Sequence, residues 1–227
     1  TRHSTLFPYT TLFRSGFIQA ARGLSETHEN DAAIEVLEEL LALAPELHDQ
    51  RELYARVLRR QGRVRESVEQ YLKLIASLGP DDDPRKAIRF CRQILTDSPD
   101  EPAAHACLCD VYARCDKPRQ AYQECLWLAR HHREQKNLAE AERYVELGLG
   151  WFPDDLGLRR ELVDILLAAG RTTDASVQLG ELARVAEARA DAQLTIWAME
   201  KASELEPDNV EHRRRLADQL ERGGDAE

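Results

Sequence analysis

The sequence predicts an all-α fold, a solenoid of antiparallel helix hairpins, and three observations support this prediction. Charged residues make up 32% of the 227 residues and aromatic residues only 6%, and the abundance of Ala, Leu, Glu and Arg is typical of helical proteins. Four prolines recur at a constant spacing, at Pro45, Pro99, Pro153 and Pro207. Apolar residues recur at the same interval, with the three- and four-residue spacing of a buried helical face.

This 54-residue interval divides the chain into units that follow one another without gaps. Each unit ends near one of the four prolines, because proline interrupts the hydrogen bonding of a helix. We predict a single solenoid domain that consists of a partial unit over 16–45, full units over 46–99, 100–153 and 154–207, and a partial unit over 208–227, and so covers 16–227.

Each full unit is predicted to contain three helices. In the unit 100–153 the helices cover about 102–115, 118–133 and 138–151, and the segments CDKP and EQKN separate them. Pro118 suits the start of the second helix, where its missing N–H would have no intrahelical partner in any case.

A turn residue after the first helix of each unit also recurs at the 54-residue interval. Gly62, Gly170 and Gly224 lie at this turn, with Asp116 at the equivalent position. Asp is one of the few residues that tolerate the left-handed backbone of a tight turn. We therefore expect Asp116 to adopt the conformation of the glycines.

Buried positions are predicted from four columns of equivalent residues. Two columns are apolar: Tyr54, Leu108, Leu162 and Leu216, and Leu58, Tyr112, Leu166 and Leu220. Two columns contain small or medium residues: Ala55, Cys109, Val163 and Ala217, and Ala33, Ala87, Ala141 and Thr195. Small residues at a fixed helical position indicate that two helices approach closely there.

Several segments resemble the tetratricopeptide repeat of bacterial proteins, in which a helix with Leu, a small residue and Tyr precedes a Gly turn and a second helix that opens with Ala. The resemblance is visible in QGRVRESVEQYLKLI, AGRTTDASVQLGELA and HENDAAIEVLEELLALAPE. LCDVYARCDKPRQAY is similar through Leu108, Cys109, Tyr112, Asp116 and Ala121, and VEHRRRLADQLERGGDAE through Leu216, Ala217, Leu220 and Gly224. The resemblance covers about 16–227, and it implies a helical solenoid that binds other proteins, usually along its concave face.

The spacing departs from that family, whose repeats are about 34 residues long. Here the Ala-like positions are 33, 67, 87, 121, 141, 175 and 195, so their differences alternate between 34 and 20. We predict that one helix of each unit (65–79, 118–133 and 172–188) serves as the second helix of one motif and the first helix of the next.

The segment 1–15, TRHSTLFPYTTLFRS, differs from the rest of the chain in having no acidic residue and no helical periodicity. Its part from Thr5 to Ser15 is identical to a translation of a common sequencing adapter. We therefore expect residues 1–15 to be an artefactual or disordered head, followed by the remnant of a first helix over 17–24. Both ends of the sequence are expected to be truncated.

The five cysteines admit two interpretations, a metal site or core packing. The segment HACLCDVYARC, Cys125 and the pair His131 and His132 provide ligands of the right kind for a metal. However, Cys91, Cys109 and Cys125 belong to columns of hydrophobic residues, which indicates core packing. Since the remaining two cysteines are too few for a closed site, core packing is the favoured interpretation.

The family geometry implies that the first helix of each unit faces the concave side. Polar residues on that face are Arg56, Asp110 and Asp164, with Asp218 next in register, and Arg60 and Arg114 one turn further on. These six residues are the predicted partner-binding set. The alternative is that Asp110–Arg114 and Asp218–Arg222 are i,i+4 pairs on solvated faces. The basic segment RVLRRQGRVR could contact an acidic partner or end a helix, and DDDP at 81–84 could bind a cation or cap the following helix.

The sequence favours a non-enzymatic interaction scaffold in the cytoplasm, with a protein or peptide partner and no cofactor or metal. A net charge of −10 disfavours nucleic acid and anionic membranes as partners. No phosphate-binding loop, nucleophile elbow or paired-His metal motif is present in the sequence. The alternative function is a regulatory or docking arm of a larger signalling protein or enzyme.

Overall fold

The computed structural model describes residues 7–79, 82–210, 213–214 and 217. Within these ranges the chain forms eleven helices: α1 Phe7–Glu26, α2 Asn30–Leu43, α3 His48–Arg60, α4 Val64–Ala76, α5 Pro84–Asp97, α6 Pro102–Arg114, α7 Pro118–Glu134, α8 Leu138–Trp151, α9 Leu156–Ala168, α10 Thr172–Ala188 and α11 Ala192–Leu205. Short turns join consecutive helices, and neighbouring helices pack against each other from α1 to α5 and from α7 to α11, so the predicted all-α class is confirmed. Across the described ranges, no helix is both long enough and apolar enough to cross a membrane.

The chain divides into two compact units, Thr1–Val111 (unit 1) and Tyr112–Glu227 (unit 2), and the division falls within α6. In unit 1, α1, α2 and α3 bury a common core of Ala21, Ala33, Ile34, Leu37, Leu41, Tyr54, Val57 and Leu58. In unit 2, residues of α9, α10 and α11 form a core of Val163, Leu179, Leu182, Ala183, Ala198, Met199 and Ala202. The single domain over 16–227 stays a prediction.

The helix bounds agree closely with those expected from sequence. The three helices predicted for 100–153 are α6, α7 and α8, and each observed end lies within one residue of its predicted position. The starts of α2, α5, α8 and α11 lie at 30, 84, 138 and 192, which keeps the constant spacing of the prolines. A 54-residue unit as the repeat of packing nevertheless stays a prediction.

Two predicted helix bounds are wrong. The first helix begins at Phe7 rather than near residue 17, because Pro8 occupies its first turn, where a missing N–H is tolerated. The second error concerns α4, which ends at Ala76 rather than at residue 79. Gly79 precedes a proline and so disfavours helical backbone, and its N–H donates to Asp82 Oδ2 at 2.8 Å. The adapter origin of residues 1–15 stays a prediction.

The predicted core columns are buried wherever the structure describes their side chains, with one exception. The two apolar columns are at most 7% exposed at the described positions Tyr54, Leu108, Leu162, Leu58, Tyr112 and Leu166. The small residues Ala33, Ala87, Ala141 and Thr195 are at most 5% exposed. Ala217 is exposed, which contradicts the prediction for that position. Leu216 and Leu220 have side chains outside the described residues.

The turns between helices use left-handed backbone at fixed positions. Gly62 and Gly170 have φ of +75° and +72°, and Asp116 has φ of +52°, so the prediction for Asp116 is confirmed. A second series has no glycine: His28, Lys136 and Ala190 have φ between +57° and +63°. Each of these non-glycine residues holds a backbone conformation that its Cβ disfavours.

Gly148 of α8 lies in close contact with Leu158 of α9. A Cβ atom at this position would lie 2.7 Å from Leu158 Cδ1 and 3.3 Å from Leu158 Cδ2. Leu158 is fully buried, so its side chain occupies the space that a larger residue at 148 would need. The absence of a side chain at 148 therefore permits the observed contact with Leu158.

Candidate partner-binding site

The six predicted site residues do not lie together on one described face. Arg56 and Arg60 are on α3 in unit 1 and Asp164 is on α9 in unit 2, whereas Asp110 and Arg114 are on α6, which the division between the units crosses. Asp218 lies outside the described residues. Among the described members of the set, Arg56 and Arg60 line a cavity.

That cavity is a groove of about 580 Å³ in unit 1, between the C-terminal part of α1 and the side of α3. The two helices contact each other directly, although α2 separates them in sequence. The groove is lined mainly by charged and polar side chains: Arg22, Ser25, Glu26, His28, Asp49, Gln50, Glu52, Leu53, Arg56 and Arg60. We call it the α1–α3 groove.

Contacts within unit 1 hold one cation and one anion of the groove in place. Arg60 Nη1 donates to the Ser25 backbone carbonyl at 3.0 Å and to Ser25 Oγ at 3.3 Å, and Ser25 is only 5% exposed. Glu52 accepts from Arg89 of α5, with an Nη2–Oε2 distance of 2.8 Å. Arg60 is therefore bound by neutral oxygens, and Glu52 is already paired with another cation.

Arg22 and Arg56 have no such partner. Neither guanidinium forms an ion pair with any residue in the described part of the chain. Arg22 lies about one turn before Ser25 on α1, and Arg56 lies one turn before Arg60 on α3. Because Ser25 and Arg60 are in contact, Arg22 and Arg56 are brought to the same level of the groove.

Charge is distributed unevenly along α3. Asp49 and Glu52 lie in its first turns, and Arg56 and Arg60 lie in its later turns. This order suits the helix dipole, which favours anions at the N-terminus and cations at the C-terminus. The groove thus has an acidic end and a basic end, with Glu26 of α1 near the basic end.

A second pair of helices, α7 and α9 in unit 2, has a face of the same kind but with paired charges. Arg133 Nε lies 2.8 Å from Glu161 Oε1, and Arg133 Nη1 lies 3.4 Å from Asp164 Oδ2. Arg130 Nε lies 3.4 Å from Glu161 Oε2. Glu161 is only 5% exposed. Asp164, predicted to bind a partner, is thus part of an ion-pair network within unit 2, which we call the α7–α9 network.

The two faces occupy equivalent positions in the sequence register. Positions 22, 25, 53 and 56 of the groove correspond to 130, 133, 161 and 164 of the network, two 54-residue intervals later. Arg22 thus corresponds to Arg130, whereas Leu53 and Arg56 replace the two carboxylates of the network. The groove keeps a cation on the first helix of the pair but lacks the acids that would neutralise it.

Asp110 and Arg114 are both exposed on α6. Their i,i+4 spacing permits an ion pair, but none joins them to each other or to another described residue. The alternative interpretation, that they form a surface pair, is therefore not supported for α6. Their part in partner binding stays a prediction.

Sequence reasoning missed Arg22, Arg130 and Glu161. The periodicity could have identified them, since α1 occupies the register of α7, and extending the equivalent positions backward reaches Arg22 from Arg130. Glu161 gave no such signal, because its equivalents Leu53 and Cys107 are not acidic.

Three of the five cysteines pack in the core, and an aspartate of the acidic segment caps α5. Cys91, Cys109 and Cys125 are fully buried, so their core packing is confirmed, and Cys107 and Cys115 are partly exposed. Asp83 is the N-cap of α5: its Oδ1 accepts from Arg85 N at 2.9 Å, with Pro84 as the first helical residue. The predicted capping role is therefore confirmed for Asp83.

Aromatic rings and histidines stack at the C-terminal end of α7. His132 lies parallel to Tyr144 of α8, with ring centroids 5.6 Å apart, and His131 stacks on Trp127 at 4.9 Å. Burial, followed by the neighbouring His131, lowers the pKa of His132 below its usual value. The contact between α7 and α8 therefore favours the neutral imidazole.

Comparisons with known proteins give similarity to solved repeat structures. No protein-family model matches the chain, and no curated protein matches it in sequence. PilF of Pseudomonas aeruginosa is 18% identical over 90% of this chain and 97% of its own, with a TM-score of 0.35. A tetratricopeptide repeat protein of Parabacteroides merdae is 15% identical over 91% and 98%, with a TM-score of 0.26. The type IV pilus biogenesis factor PilW is 16% identical over 90% and 98%, with a TM-score of 0.35. At these TM-scores, no role of those proteins is transferred to this chain.

Proposed function

We infer that this protein is a non-catalytic scaffold that binds a segment of another protein in the α1–α3 groove. The observation that supports this function is the pair Arg22 and Arg56, which line an open groove without an ion-pair partner in the described part of the chain. Some arginines outside the groove are paired, as Arg59 is with Asp97 at 2.7 Å, and others, such as Arg65 and Arg114, are exposed without an ion pair among the described residues. Arg22 and Arg56 differ from the latter in lining a groove. Cations left unpaired in a groove are available to a partner.

The mixed charge of the groove favours a protein segment over a nucleic acid. Glu26, Asp49 and Glu52 line the groove together with its three arginines. A phosphate backbone would meet these carboxylates as well as the arginines, and the whole chain has a net charge of −10. A peptide can match both signs of charge along one groove.

The remaining predicted positions are included in the proposal as secondary contacts. Asp110 and Arg114 are exposed and unpaired within the described residues, so they remain available to a partner. Asp164 and Asp218 stay in the proposed set as predicted positions, although Asp164 also stabilises unit 2 through Arg133. Binding on a concave face belongs to the same proposal.

Capture from a bacterial lysate tests the function. We expect a variant with Arg22→Glu and Arg56→Glu to lose the proteins that the wild type retains at low salt, because both free cations become anions. The matched control replaces Arg65 and Lys86 with Glu. Both residues are exposed in unit 1, form no described ion pair and give the same change in net charge. Retention of the same proteins by a folded Arg22→Glu, Arg56→Glu variant would refute the proposed site.

A further inference from the structure

The α7–α9 network indicates what kind of segment fits the α1–α3 groove. In the network, two carboxylates three residues apart on one helix, Glu161 and Asp164, neutralise arginines of the neighbouring helix. The spacing matters because residues three apart lie on the same face of a helix. One helical face therefore presents both acids to the arginines at once.

The groove keeps one of the two arginines of such a network, Arg22, and lacks both of its acids, while Ser25 lies at the position of Arg133. In the sequence register, Arg22 is equivalent to Arg130. Leu53 is equivalent to Glu161, and Arg56 is equivalent to Asp164. Of the carboxylates that line the groove, Glu52 is bound to Arg89. Glu26 is one turn after Arg22 on α1, yet no ion pair joins the two.

We propose that the groove binds a helical segment of a partner protein through two carboxylates spaced three or four residues apart. These carboxylates contact Arg22 and Arg56 and neutralise them, as Glu161 and Asp164 neutralise arginines of α7 in unit 2. Arg60 adds a third cation, which Ser25 holds at the same end of the groove. This inference rests on the proposed function, since it names the class of segment that the scaffold holds.

Binding of synthetic peptides to the full chain tests the proposal. The probe is a fluorescent, alanine-based helical peptide with one Glu-x-x-Asp pair, measured by anisotropy at low salt. The neutral control has Gln-x-x-Asn at the same positions. We expect the acidic peptide to bind about five-fold more tightly than the neutral one, the size expected for two partly exposed ion pairs. Equal binding of the two peptides, or no binding of the acidic one, would overturn the proposal.

Two further comparisons identify the contacts. The variant Arg22→Glu, Arg56→Glu is expected to lose the acidic peptide and to gain a peptide with Lys-x-x-Lys, while the Arg65→Glu, Lys86→Glu control keeps the wild-type preference. A peptide in which proline breaks the helix between Glu and Asp is expected to bind no better than the neutral peptide. Equal binding by the proline peptide would show that the acids alone suffice, and the helical requirement would be wrong.

The peptide and lysate experiments can refute this inference and the proposed function independently of each other. If lysate capture requires Arg22 and Arg56 while the acidic peptide does not bind, the groove holds a different class of segment, and only this inference is refuted. If lysate capture is independent of both arginines, the proposed function is refuted at this site.

Discussion

The α1–α3 groove and the α7–α9 network are two versions of one helix pair with different distributions of charge. Both pairs join helices that are separated in sequence by one helix, and both have an arginine at the same register position. In unit 2 the second helix provides the acids Glu161 and Asp164, and the charges are satisfied within the chain. In unit 1 the second helix provides Leu53 and Arg56, and an open groove remains.

These two pairs show that helices at equivalent positions in the sequence can have either paired charges or arginines without an ion pair in the described part of the chain. Substitution at the two positions 161 and 164, or their equivalents, changes whether arginines stabilise the fold or remain available to a partner. If the proposed binding by Arg22 and Arg56 is correct, residues at equivalent positions in the sequence stabilise the fold in unit 2 and bind a partner in unit 1. Four predictions test this comparison.

The largest effect on stability is expected when Glu161 of unit 2 is replaced by leucine, the residue at the equivalent position 53 of unit 1. Glu161→Leu leaves Arg133, which is 32% exposed, without its closest carboxylate. We expect unit 2 to lose about 2 kcal/mol of stability, less than for a fully buried pair because Arg130 and Arg133 can turn partly toward water. All three tryptophans (Trp127, Trp151 and Trp197) lie in unit 2, so their fluorescence during urea unfolding reports this change.

Asp164→Leu is the control for that change, since the Asp164 side chain is 40% exposed and its distance to Arg133 is 3.4 Å. We expect it to cost less than about 0.5 kcal/mol. Equal effects of the two substitutions would contradict the view that the buried carboxylate is the centre of the network.

A second prediction concerns the turns that follow α1 and α7. His28→Gly and Lys136→Gly are each expected to stabilise the fold by about 0.5 kcal/mol, because a left-handed non-glycine residue is strained and glycine offsets only part of that gain through its flexibility in the unfolded chain. Hydrogen exchange of the two helix pairs measures both effects. Gly62→Ala is expected to have the opposite sign. Very different values for His28 and Lys136 would mean that the two helix pairs differ in backbone as well as in charge.

A third prediction compares the equivalent arginines. Arg130→Gln is expected to cost about 0.5 kcal/mol, because it removes a half-exposed ion pair with Glu161, whereas Arg22→Gln is expected to leave stability unchanged within the error of the measurement. Circular dichroism during thermal unfolding compares the two variants. A larger loss from Arg22→Gln would show that Arg22 stabilises unit 1 and is not free for a partner.

The smallest effect is expected on acidification. The folded-state pKa of His132 lies below the value near 6.5 of an unfolded chain, so folding favours the neutral ring. The contribution of the neutral His132 ring to the free energy of unfolding is fully present above about pH 6.5. This contribution is lost as the pH falls through the folded-state pKa. Protonation would place the cation beside His131 and Arg143, with Glu140 as the opposing charge.

Replacement of His132 tests this acid sensitivity. His132→Leu installs the residue that unit 1 has at the equivalent position, Leu24. We expect the fall in the unfolding temperature of unit 2 between pH 7.5 and pH 5.5 to be smaller in this variant than in the wild type. An unchanged pH dependence, followed by tryptophan fluorescence, would assign the acid sensitivity to other groups.

The fold was largely predictable because the periodic apolar and small residues determine which helical faces are buried. Tyr54, Ala55 and Leu58 illustrate this, since all three are buried as their columns predicted. The start of α1 could not be predicted in the same way, because residues 7–15 lack helical periodicity. The end of α4 depended on the local effect of Gly79 and Asp82.

The candidate site was predictable only in part. Periodicity indicated that Arg56 and Arg60 are polar positions on α3, but it could not show which charges are satisfied. Whether a charged side chain has a partner depends on contacts between helices far apart in sequence, such as Arg60 with Ser25 and Arg133 with Asp164. The i,i+4 rule suggested the pair Asp110 and Arg114, which the described residues do not form.

The close contact between Gly148 and Leu158 has an evolutionary consequence. Because the Leu158 side chain fills the space beside residue 148, the two positions are expected to covary among homologous chains, with a larger residue at one and a smaller residue at the other. The equivalent positions one interval earlier reverse the sizes, with Ile94 on α5 and Ala104 on α6, and both are fully buried. A homologous sequence with two large residues at such a pair would need a wider separation of the two helices.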